Sequence, residues 1–312
     1  MKLLITLLTF AFFQISIFAQ QVAITFDDMP CNAYPSALSQ EQLYFANTQL
    51  VSIINQEKIP VTAFVCGTCK GDTINFKNYN YLMRYWILSP YVNFGNHSFS
   101  HLNYGTTGYD QFNLDLLKNM NYLKRLAPKK RVQYFRYPFN ALGIDSLSQE
   151  KMMAQLNRYQ LKVAPFTIES SDYIFDAIYT NYLLKGDTAN ADKIAQMYIQ
   201  YTLLCFDYFS QLSKNLHNRN IKHIFLGHAN LLHSHYLVDL IAALKQKGYS
   251  FISFNEAMAD EVFQSKNYYH QNEGISWMYR WIKNPSKRNE LLKKSPDPSK
   301  EILELYKNLS KK

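Results

Sequence analysis

The sequence has few cysteines, few charged residues and little repetition, and each shortage excludes a class of protein. Four cysteines in 312 residues are too few for a scaffold built on disulfides. Charged residues make up 18% of the chain against 47% hydrophobic residues, a balance that excludes general disorder. The chain has no internal repeat, low-complexity segment or nucleic-acid-binding motif. What remains is a globular protein with a large core, long enough for one α/β domain and an appendage.

The cysteines form no complete metal or redox motif. They are Cys31, Cys66, Cys69 and Cys205. The pair in "CGTC" (66–69) has no thioredoxin-like surroundings, and no second Cys or His pair completes a zinc ribbon. We expect a structural disulfide or two buried thiols at this pair rather than a redox centre.

The apolar run near the N-terminus is short for a membrane span. Lys2 precedes the run Leu3–Phe13, and the segment ends with the small residue Ala19. This pattern predicts a signal peptide over residues 1–19, cleaved near Ala19, with an uncleaved anchor as the alternative. We therefore expect a periplasmic or secreted protein that has no transmembrane span after signal cleavage.

Basic residues are concentrated at the C-terminus. The net charge is +9, and residues 263–312 contain 11 Lys and Arg against 5 Asp and Glu. The preceding part of the chain is nearly neutral. A basic tail favours electrostatic contact with an anionic envelope or polymer, and a solvated helix surface is the alternative. No nucleic-acid partner is expected, because no binding motif accompanies the charge.

Short β-rich runs alternate with longer helical patterns over most of the chain, and these patterns predict helices near 39–57, 75–88, 110–126, 147–159, 190–217 and 236–247. The predicted strands are "VAITF", "VTAFV", "VNFGNHSFSH", "VQYFRYP", "LKVAPFTI", "IKHIFLGH" and "YSFIS". This alternation predicts an α/β fold with parallel strands and right-handed crossovers, and a barrel suits it better than a doubly wound sheet. The turn signals "NPSKRN" and "SPDPS" follow the last strand. They indicate a catalytic domain over residues 20–262 and a basic helical extension over residues 263–312.

Polar residues that can carry chemistry follow the predicted strands, whose C-terminal ends converge on one mouth in a parallel barrel. Asp27 and Asp28 are adjacent like charges, and a cation or a proton must relieve their repulsion. His97 and His101, four residues apart, can share a metal ion on one face of a turn. Structural histidines show the same spacing. With Asp28 as third ligand, they predict a hydrolytic site for zinc, cobalt or a similar ion, and Asp27 can accept a proton from bound water.

These residues belong to motifs that resemble those of a known family. The motifs are "TFDD", "HSFSH", "RYPF", "SSDY" and "LGH". They occur in the order and rough spacing of the five motifs of NodB-like polysaccharide deacetylases, carbohydrate esterase family 4. The resemblance covers about residues 22–260. It implies a distorted (β/α) barrel that removes N- or O-acetyl groups from an extracytoplasmic polysaccharide or peptidoglycan.

The resemblance also implies a role for each residue of the predicted metal centre. Asp27 is the expected catalytic base. Asp28, His97 and His101 are the expected ligands of one divalent metal ion, and zinc is the expected metal. Arg136 is expected to orient the base. The metal polarises the acyl carbonyl and holds the water in this scheme.

The remaining motif residues are expected to act on the leaving group and the substrate. His228 is the expected general acid, with Asp172 as its charge partner. The backbone N–H of Phe139 is the expected second oxyanion donor. The expected substrate contacts are Tyr173, Leu226 and Pro138.

Two motif positions depart from the family pattern. Phe139 stands where many members have Tyr. If only the backbone N–H of this residue takes part in catalysis, the difference removes no catalytic group. Tyr173 replaces the usual Trp, so the wall of the acetyl pocket is smaller and more polar. We expect the segment "GISWMYRW" (274–281) to pack against the barrel, and His233 and His235 to lie in a loop near the mouth without binding the metal.

Two other hypotheses compete with a glycan deacetylase. The first is a hydrolase of another small-molecule amide or ester on the same barrel. The second is a non-catalytic glycan-binding protein, which predicts losses among the motif residues. The expected base, ligands and acid are all present, and this favours an enzyme.

Overall fold

The computed structural model describes residues 20–30, 38–68 and 76–309. The predicted signal peptide over 1–19 lies outside these residues, as do Cys31 and Cys69. The side chains of Cys66 and Cys205 are both buried. The expected state of the "CGTC" pair stays a prediction, because only one of its two sulfur atoms is described.

A curved parallel sheet forms the centre of the molecule. Its strands are β1 (Gln20–Met29), β2 (Val61–Val65), β3 (Val92–Asn96), β4 (Tyr134–Phe135), β5 (Lys162–Val163), β6 (Ile168–Glu169), β7 (His223–His228) and β8 (Tyr249–Phe251). The order in the sheet is β5-β4-β3-β2-β1-β7-β6, and β8 pairs with the start of β1. The named strand pairs are parallel. Since β5 and β6 lie at the two ends of this order, the sheet curls into an incomplete barrel, as predicted.

Helices follow most strands, as right-handed crossovers require. Those before residue 263 are α1 (Gln40–Glu57), α2 (Phe76–Leu88), α3 (Tyr104–Thr107), α4 (Tyr109–Leu126), α5 (Ser146–Arg158), α6 (Asp172–Leu184), α7 (Thr188–His217), α8 (Leu231–Gln246) and α9 (Phe254–Met258). Those after it are α10 (Trp277–Arg280), α11 (Pro285–Leu292) and α12 (Lys300–Leu309). Among the described helices, none combines the length and apolar character needed to cross a membrane.

The central strand β1 positions the polar residues that follow it. Val22, Ala23 and Phe26 are fully buried, because a strand between two parallel neighbours has both faces covered. It pairs with β2 on one side and with β7 on the other. In the pairing of β1 with β7, Asp27 lies opposite His228. Residues far apart in the chain are thus brought together at one edge of the sheet.

Three local predictions were wrong. No helix was predicted where α6 forms. This helix contacts α7, α8 and α12, and its sequence is apolar on almost every face. Such a sequence shows no helical period. The single strand predicted over "LKVAPFTI" is two short strands, β5 and β6, separated by Pro165, which cannot donate to a sheet ladder. His233 and His235 lie in α8, not in a loop, and Asn230 caps that helix by accepting from the His233 N–H.

The C-terminal extension packs against the barrel. The Trp277 N–H donates to the Phe166 carbonyl at 3.0 Å, and the Ser276 hydroxyl donates to the Thr167 carbonyl at 2.7 Å. Helix α12 lies against α6, and the Trp277 side chain is buried, as expected for the aromatic segment. The extension therefore shares the core of the barrel, whereas the boundary at residue 263 stays a prediction.

A buried carboxylate joins the end of α7 to the start of the extension. Asp260 accepts from the guanidinium of Arg219 with both oxygens, at 2.8 and 2.5 Å. It also accepts from the backbone N–H groups of Lys222 and Val262. Burial raises the pKa of Asp260, but these donors lower it further, to about 2. The ionised form of Asp260 therefore stabilises the folded state.

We predict that Asp260→Asn lowers the free energy of unfolding by about 2 kcal/mol at pH 7, because a charge-assisted network is lost. Because the folded-state pKa is depressed, the contribution is complete above the ordinary value near 4 and is lost as the pH falls toward 2. The difference between wild type and variant should shrink over that interval in denaturant titrations. Asp207→Asn, in an exposed pair with Lys247, is the control and should change stability by less than about 0.5 kcal/mol. A difference for Asp260→Asn that stays constant down to pH 2 would contradict this account.

Candidate active site

The predicted site residues that follow β1, β3 and β7 meet at the carboxyl edge of the sheet. His97 and Asp28 have Nε2 and Oδ1 3.2 Å apart, and His101 Nε2 lies 2.9 Å from the same oxygen. His228 Nε2 is 3.9 Å from the other oxygen of Asp28. The structure thus brings together residues separated by up to 200 positions in the chain.

Backbone conformation aims two of the expected metal ligands. Asp28 and His101 both have positive φ, at 57° and 51°, a region that costs free energy for residues other than glycine. The left-handed conformation at Asp28 interrupts the alternation of a regular strand, and the carboxylates of Asp27 and Asp28 both lie near His97 Nε2, at 3.8 and 3.2 Å. The sheet and the neighbouring loop must hold both residues in place.

The orientation of His97 shows that this cluster requires a positive charge. Its Nδ1 lies 2.7 Å from the Arg136 carbonyl, which only accepts, so Nδ1 carries the hydrogen. In the neutral ring, Nε2 then presents a lone pair to the Asp28 carboxylate in a buried site. Two electron-rich groups at this distance repel unless a proton or a metal cation lies between them.

The pKa shifts of Asp28 and His101 also indicate that opposite charges face each other in this cluster. Burial raises the pKa of Asp28, but His101 and His97 lower it well below its usual range. Burial lowers the pKa of His101, but the facing Asp28 carboxylate raises it more. Two imidazole nitrogens, a carboxylate and a fixed His97 tautomer form a donor set that fits a divalent ion such as zinc.

Cys66 lies beside this cluster and was not predicted to do so. Its sulfur and the ligand atoms of Asp28 and His97 lie within 4.8 Å of one another. The thiol is buried and directed at the His97 carbonyl, with Sγ 3.5 Å from the oxygen. The structure therefore offers two candidates for the third ligand, the imidazole of His101 and the sulfur of Cys66. We favour His101, because its Nε2 already lies against the Asp28 carboxylate.

Asp27 is held apart from the cluster by Arg136. The Arg136 Nη1 donates to Asp27 Oδ1 at 2.7 Å and to the hydroxyl of Thr25 at 2.7 Å. Both members of the ion pair are buried. The other Asp27 oxygen is 3.8 Å from His97 Nε2. Asp27 therefore lies next to the cluster with a fixed orientation and a paired charge.

Asp172 orients His228 at the other side of the cluster. His228 Nδ1 lies 2.8 Å from Asp172 Oδ1, and the His228 backbone N–H donates to Oδ2 at 2.7 Å. This arrangement places the hydrogen on Nδ1 and turns Nε2 toward Asp28. Burial lowers the pKa of His228, but Asp172 and then Asp28 and Asp27 raise it, to about 10.

A second layer behind His228 was not predicted from the sequence. The His233 Nδ1 lies 2.7 Å from the His228 carbonyl, and its Nε2 lies 2.6 Å from the Tyr198 hydroxyl. Asn230 donates to Asp172 at 3.1 Å. The sequence "HANLLH" contained a signal for this layer. Asn230 and His233 have the spacing of the N-cap and third residue of a helix, and such a helix buries its first turn against the end of the preceding strand.

The turn that carries Phe139 borders the cluster. Pro138 is buried and begins a 3₁₀ turn over Pro138–Asn140. The Phe139 ring is 45% exposed and contacts the His101 ring edge-to-face, with centroids 4.7 Å apart. Phe139 therefore forms a wall of the cleft as well as part of its turn.

The other expected wall residues lie on the opposite side. The Tyr173 ring is 42% exposed, and its centroid is 6.4 Å from that of His228. Tyr306 of α12 contacts the far side of Tyr173, with centroids 6.2 Å apart. Leu226 is buried in β7, opposite Thr25 of β1. The cleft is thus flanked by two exposed aromatic rings, and the extension supports one of them.

We predict that His101→Ala lowers the affinity for Zn²⁺ by at least about tenfold, because it removes a ligand, whereas Cys66→Ser leaves it unchanged within about twofold. Equilibrium dialysis with metal analysis measures both. His235→Ala is the control, since this histidine contacts Tyr179 outside the cluster. A loss of affinity in Cys66→Ser but not in His101→Ala would assign the third ligand to sulfur.

Known proteins resemble this chain in sequence and in fold. Residues 19–164 match the family model described as polysaccharide deacetylase. No curated protein sequence matches the chain. A carbohydrate esterase family 4 pseudoenzyme from Bacillus anthracis has a similar structure, with 16% identity, a TM-score of 0.51 and coverage of 77% of this chain and 66% of that chain. A mutant of that protein with restored enzymatic activity has 17% identity, a TM-score of 0.51 and coverage of 77% and 68%.

A fungal enzyme shares the same fold. The chitin deacetylase of Colletotrichum lindemuthianum has 20% identity and a TM-score of 0.50, with coverage of 78% of this chain and 88% of that chain. At these identities the structural matches establish the barrel, and the family model covers residues 19–164, just under half of the chain. Together they confirm the fold class, the enzyme class and the family predicted from the motifs. The chain therefore resembles the polysaccharide deacetylases, whose family model matches its residues 19–164.

Proposed function

We propose that this protein is a metal-dependent hydrolase that removes acetyl groups from a glycan outside the cytoplasm. The observation that carries the proposal is the convergence of Asp28, His97 and His101 on one point, with Asp27 and His228 on either side. Such a point can bind an acetyl group between a base and an acid. The signal peptide expected over 1–19 supports the location.

Asp28, His97 and His101 would hold one divalent ion, with zinc the expected metal. A bound zinc ion acts as a Lewis acid toward the acyl oxygen and lowers the pKa of water to about 7. The chain contributes the fixed His97 tautomer, since the Arg136 carbonyl accepts from Nδ1. That contact keeps the Nε2 lone pair directed into the cluster.

Asp27 would act as the general base. Its Oδ1 is occupied by the Arg136 guanidinium at 2.7 Å, which leaves Oδ2 to accept a proton from a water molecule in the cleft. The ion pair fixes the direction of the carboxylate. It also keeps Asp27 from turning toward the metal ligands.

His228 would act as the general acid on the departing amine or alcohol. Its Nδ1 hydrogen is held by Asp172 at 2.8 Å, so the proton it donates is on Nε2, which faces the cleft. Asp172 stabilises the protonated imidazole, as carboxylates do in other acid–base pairs. With a divalent ion held by its carboxylate, Asp28 would raise the pKa of His228 less, and the imidazolium would be a stronger acid.

The walls of the cleft fit a sugar substrate. Phe139 and Tyr173 are large side chains that stay about half exposed on opposite sides of the cluster, where flat rings can stack on sugar faces. The Phe139 N–H would bind the negative oxygen that develops during acyl transfer. An acetylated glycan therefore suits the cleft better than a small charged amide, and a binding protein without turnover would not need separately oriented base and acid.

We predict that Asp27→Asn retains bound Zn²⁺ but lowers the rate of acetate release by a factor of about 10²–10⁴, because the base is lost while the ligands are kept. Acetate release should be measured on acetylated chitin oligomers, peptidoglycan and acetylated xylan, with and without chelator. Asp192→Asn, which removes an exposed carboxylate that binds Tyr236, is the control. Wild-type rates in Asp27→Asn would overturn the base assignment. A wild-type protein that binds a glycan but releases no acetate would favour the non-catalytic alternative.

A further inference from the structure

The turn beside the metal cluster has a backbone that needs outside support. Phe139 and Asn140 have φ of 55° and 49°, two consecutive left-handed residues that are not glycine. Each such residue costs free energy, and it persists only where surrounding contacts fix it. The peptide N–H of Phe139, the expected oxyanion donor, depends on this conformation.

The C-terminal extension supplies that support at two carbonyl groups. The Gly274 N–H donates to the Phe139 carbonyl at 2.8 Å. The Arg280 Nη2 donates to the Asn140 carbonyl at 2.5 Å. A Cβ atom on Gly274 would lie 2.2 Å from the Cβ of Asn140, so only glycine allows the two segments to approach this closely.

Arg280 is a buried cation that contacts no carboxylate among the described residues. Its side chain is 1% exposed, and its Nε donates to the Ile275 carbonyl at 3.1 Å. The rings of Tyr269 and Trp277 lie 5.1 and 5.6 Å from the guanidinium. Burial lowers the pKa of Arg280 to about 10, so it stays charged at neutral pH. A buried charge that contacts only carbonyls and rings is costly. Of these contacts, the hydrogen bond to the Asn140 carbonyl connects Arg280 to the turn that borders the cleft.

Hydrogen bonds link the guanidinium to the Phe139 N–H through two peptide groups. Arg280 donates to the Asn140 carbonyl, and the N–H of the same peptide group, that of Ala141, donates to the Pro138 carbonyl at 3.2 Å. The Pro138 carbonyl shares its peptide group with the Phe139 N–H. Each hydrogen bond polarises the next in such a chain.

We propose that Arg280 is a positioning residue for the deacetylation reaction, which holds the turn at Phe139 and strengthens the Phe139 N–H as an oxyanion donor. The inference rests on the proposed function, because it concerns the charge that develops on the acyl oxygen. The charge of Arg280 acts over two peptide groups and without contact to substrate. Its effect grows as the oxygen becomes negative, so it lowers the barrier more than it favours substrate binding.

The test replaces Arg280 with Met in the full chain and compares it with Arg288→Met. Arg288 is a matched control: it is buried in the same extension, donates to the carbonyls of Tyr268 and Ile282, and contacts the Tyr269 ring. None of its described contacts reaches the turn at 138–140. Both variants lose a buried guanidinium, and only one loses the hydrogen-bond chain.

For Arg280→Met we expect kcat for acetate release to fall about 10- to 100-fold. This reduction of kcat is no larger than the one expected when a whole oxyanion donor is removed. The KM should change by less than about twofold and the bound Zn²⁺ should be unchanged. Arg288→Met should keep the wild-type kcat even if its melting temperature falls as much. Equal kcat in Arg280→Met and wild type, or an equal loss in the two variants, would overturn the proposal.

A neutral variant with a shorter side chain covers the case in which Arg280→Met does not fold. Arg280→Gln keeps an amide donor and removes the charge, and we expect at least a tenfold loss of kcat at unchanged KM. If neither neutral variant folds while Arg288→Met does, the residue is a structural one and the proposal is wrong. Wild-type protein that releases no acetate from any substrate overturns the proposed function instead, so the two failures are distinguishable.

Discussion

The contact between the His97 Nε2 lone pair and the Asp28 carboxylate, 3.2 Å apart in a buried cleft, is the constraint on which the rest of the site depends. It can persist only when positive charge lies between the two groups. Arg136 creates the constraint, because its carbonyl fixes the His97 tautomer. Its guanidinium also holds Asp27 to one side. A single buried arginine thereby separates the two adjacent aspartates into different roles.

The carboxylates at the strand ends are kept apart by different partners. Asp27 is paired with Arg136, Asp28 faces the imidazoles, and Asp172 is paired with His228. Each partner leaves one atom directed into the cleft. The proposed base on one side and the proposed acid on the other follow from this division, and the proposed acyl transfer from a sugar uses both. The extension completes the site from outside the sequence motifs, through Gly274 and Arg280 at one wall and Tyr306 at the other.

The sequence predicted the parts of the fold that have strong local patterns. The central strands and the long helices α1, α4 and α7 follow from runs of apolar residues and helical spacing. The helix α6 was missed because its burial on several sides removes the period, and β5 and β6 because two-residue strands carry no pattern. The catalytic and ligand residues came from motif order, and the structure brings them together. The positions of Cys66 and Arg280 at the site were beyond reach, because each arises from long-range packing outside the five motifs. The N-cap spacing of Asn230 and His233 was a signal for His233 that the sequence did contain.

The central claim is that one divalent ion, held at Asp28, His97 and His101, is required for acetate release. The most direct measurement titrates metal-free protein with Zn²⁺ while following acetate release from an acetylated chitin oligomer. The account predicts a rate that rises in proportion to added Zn²⁺ and stops rising at one ion per chain. A full rate without added metal, or a protein that remains inactive with one ion bound at this site, would contradict it.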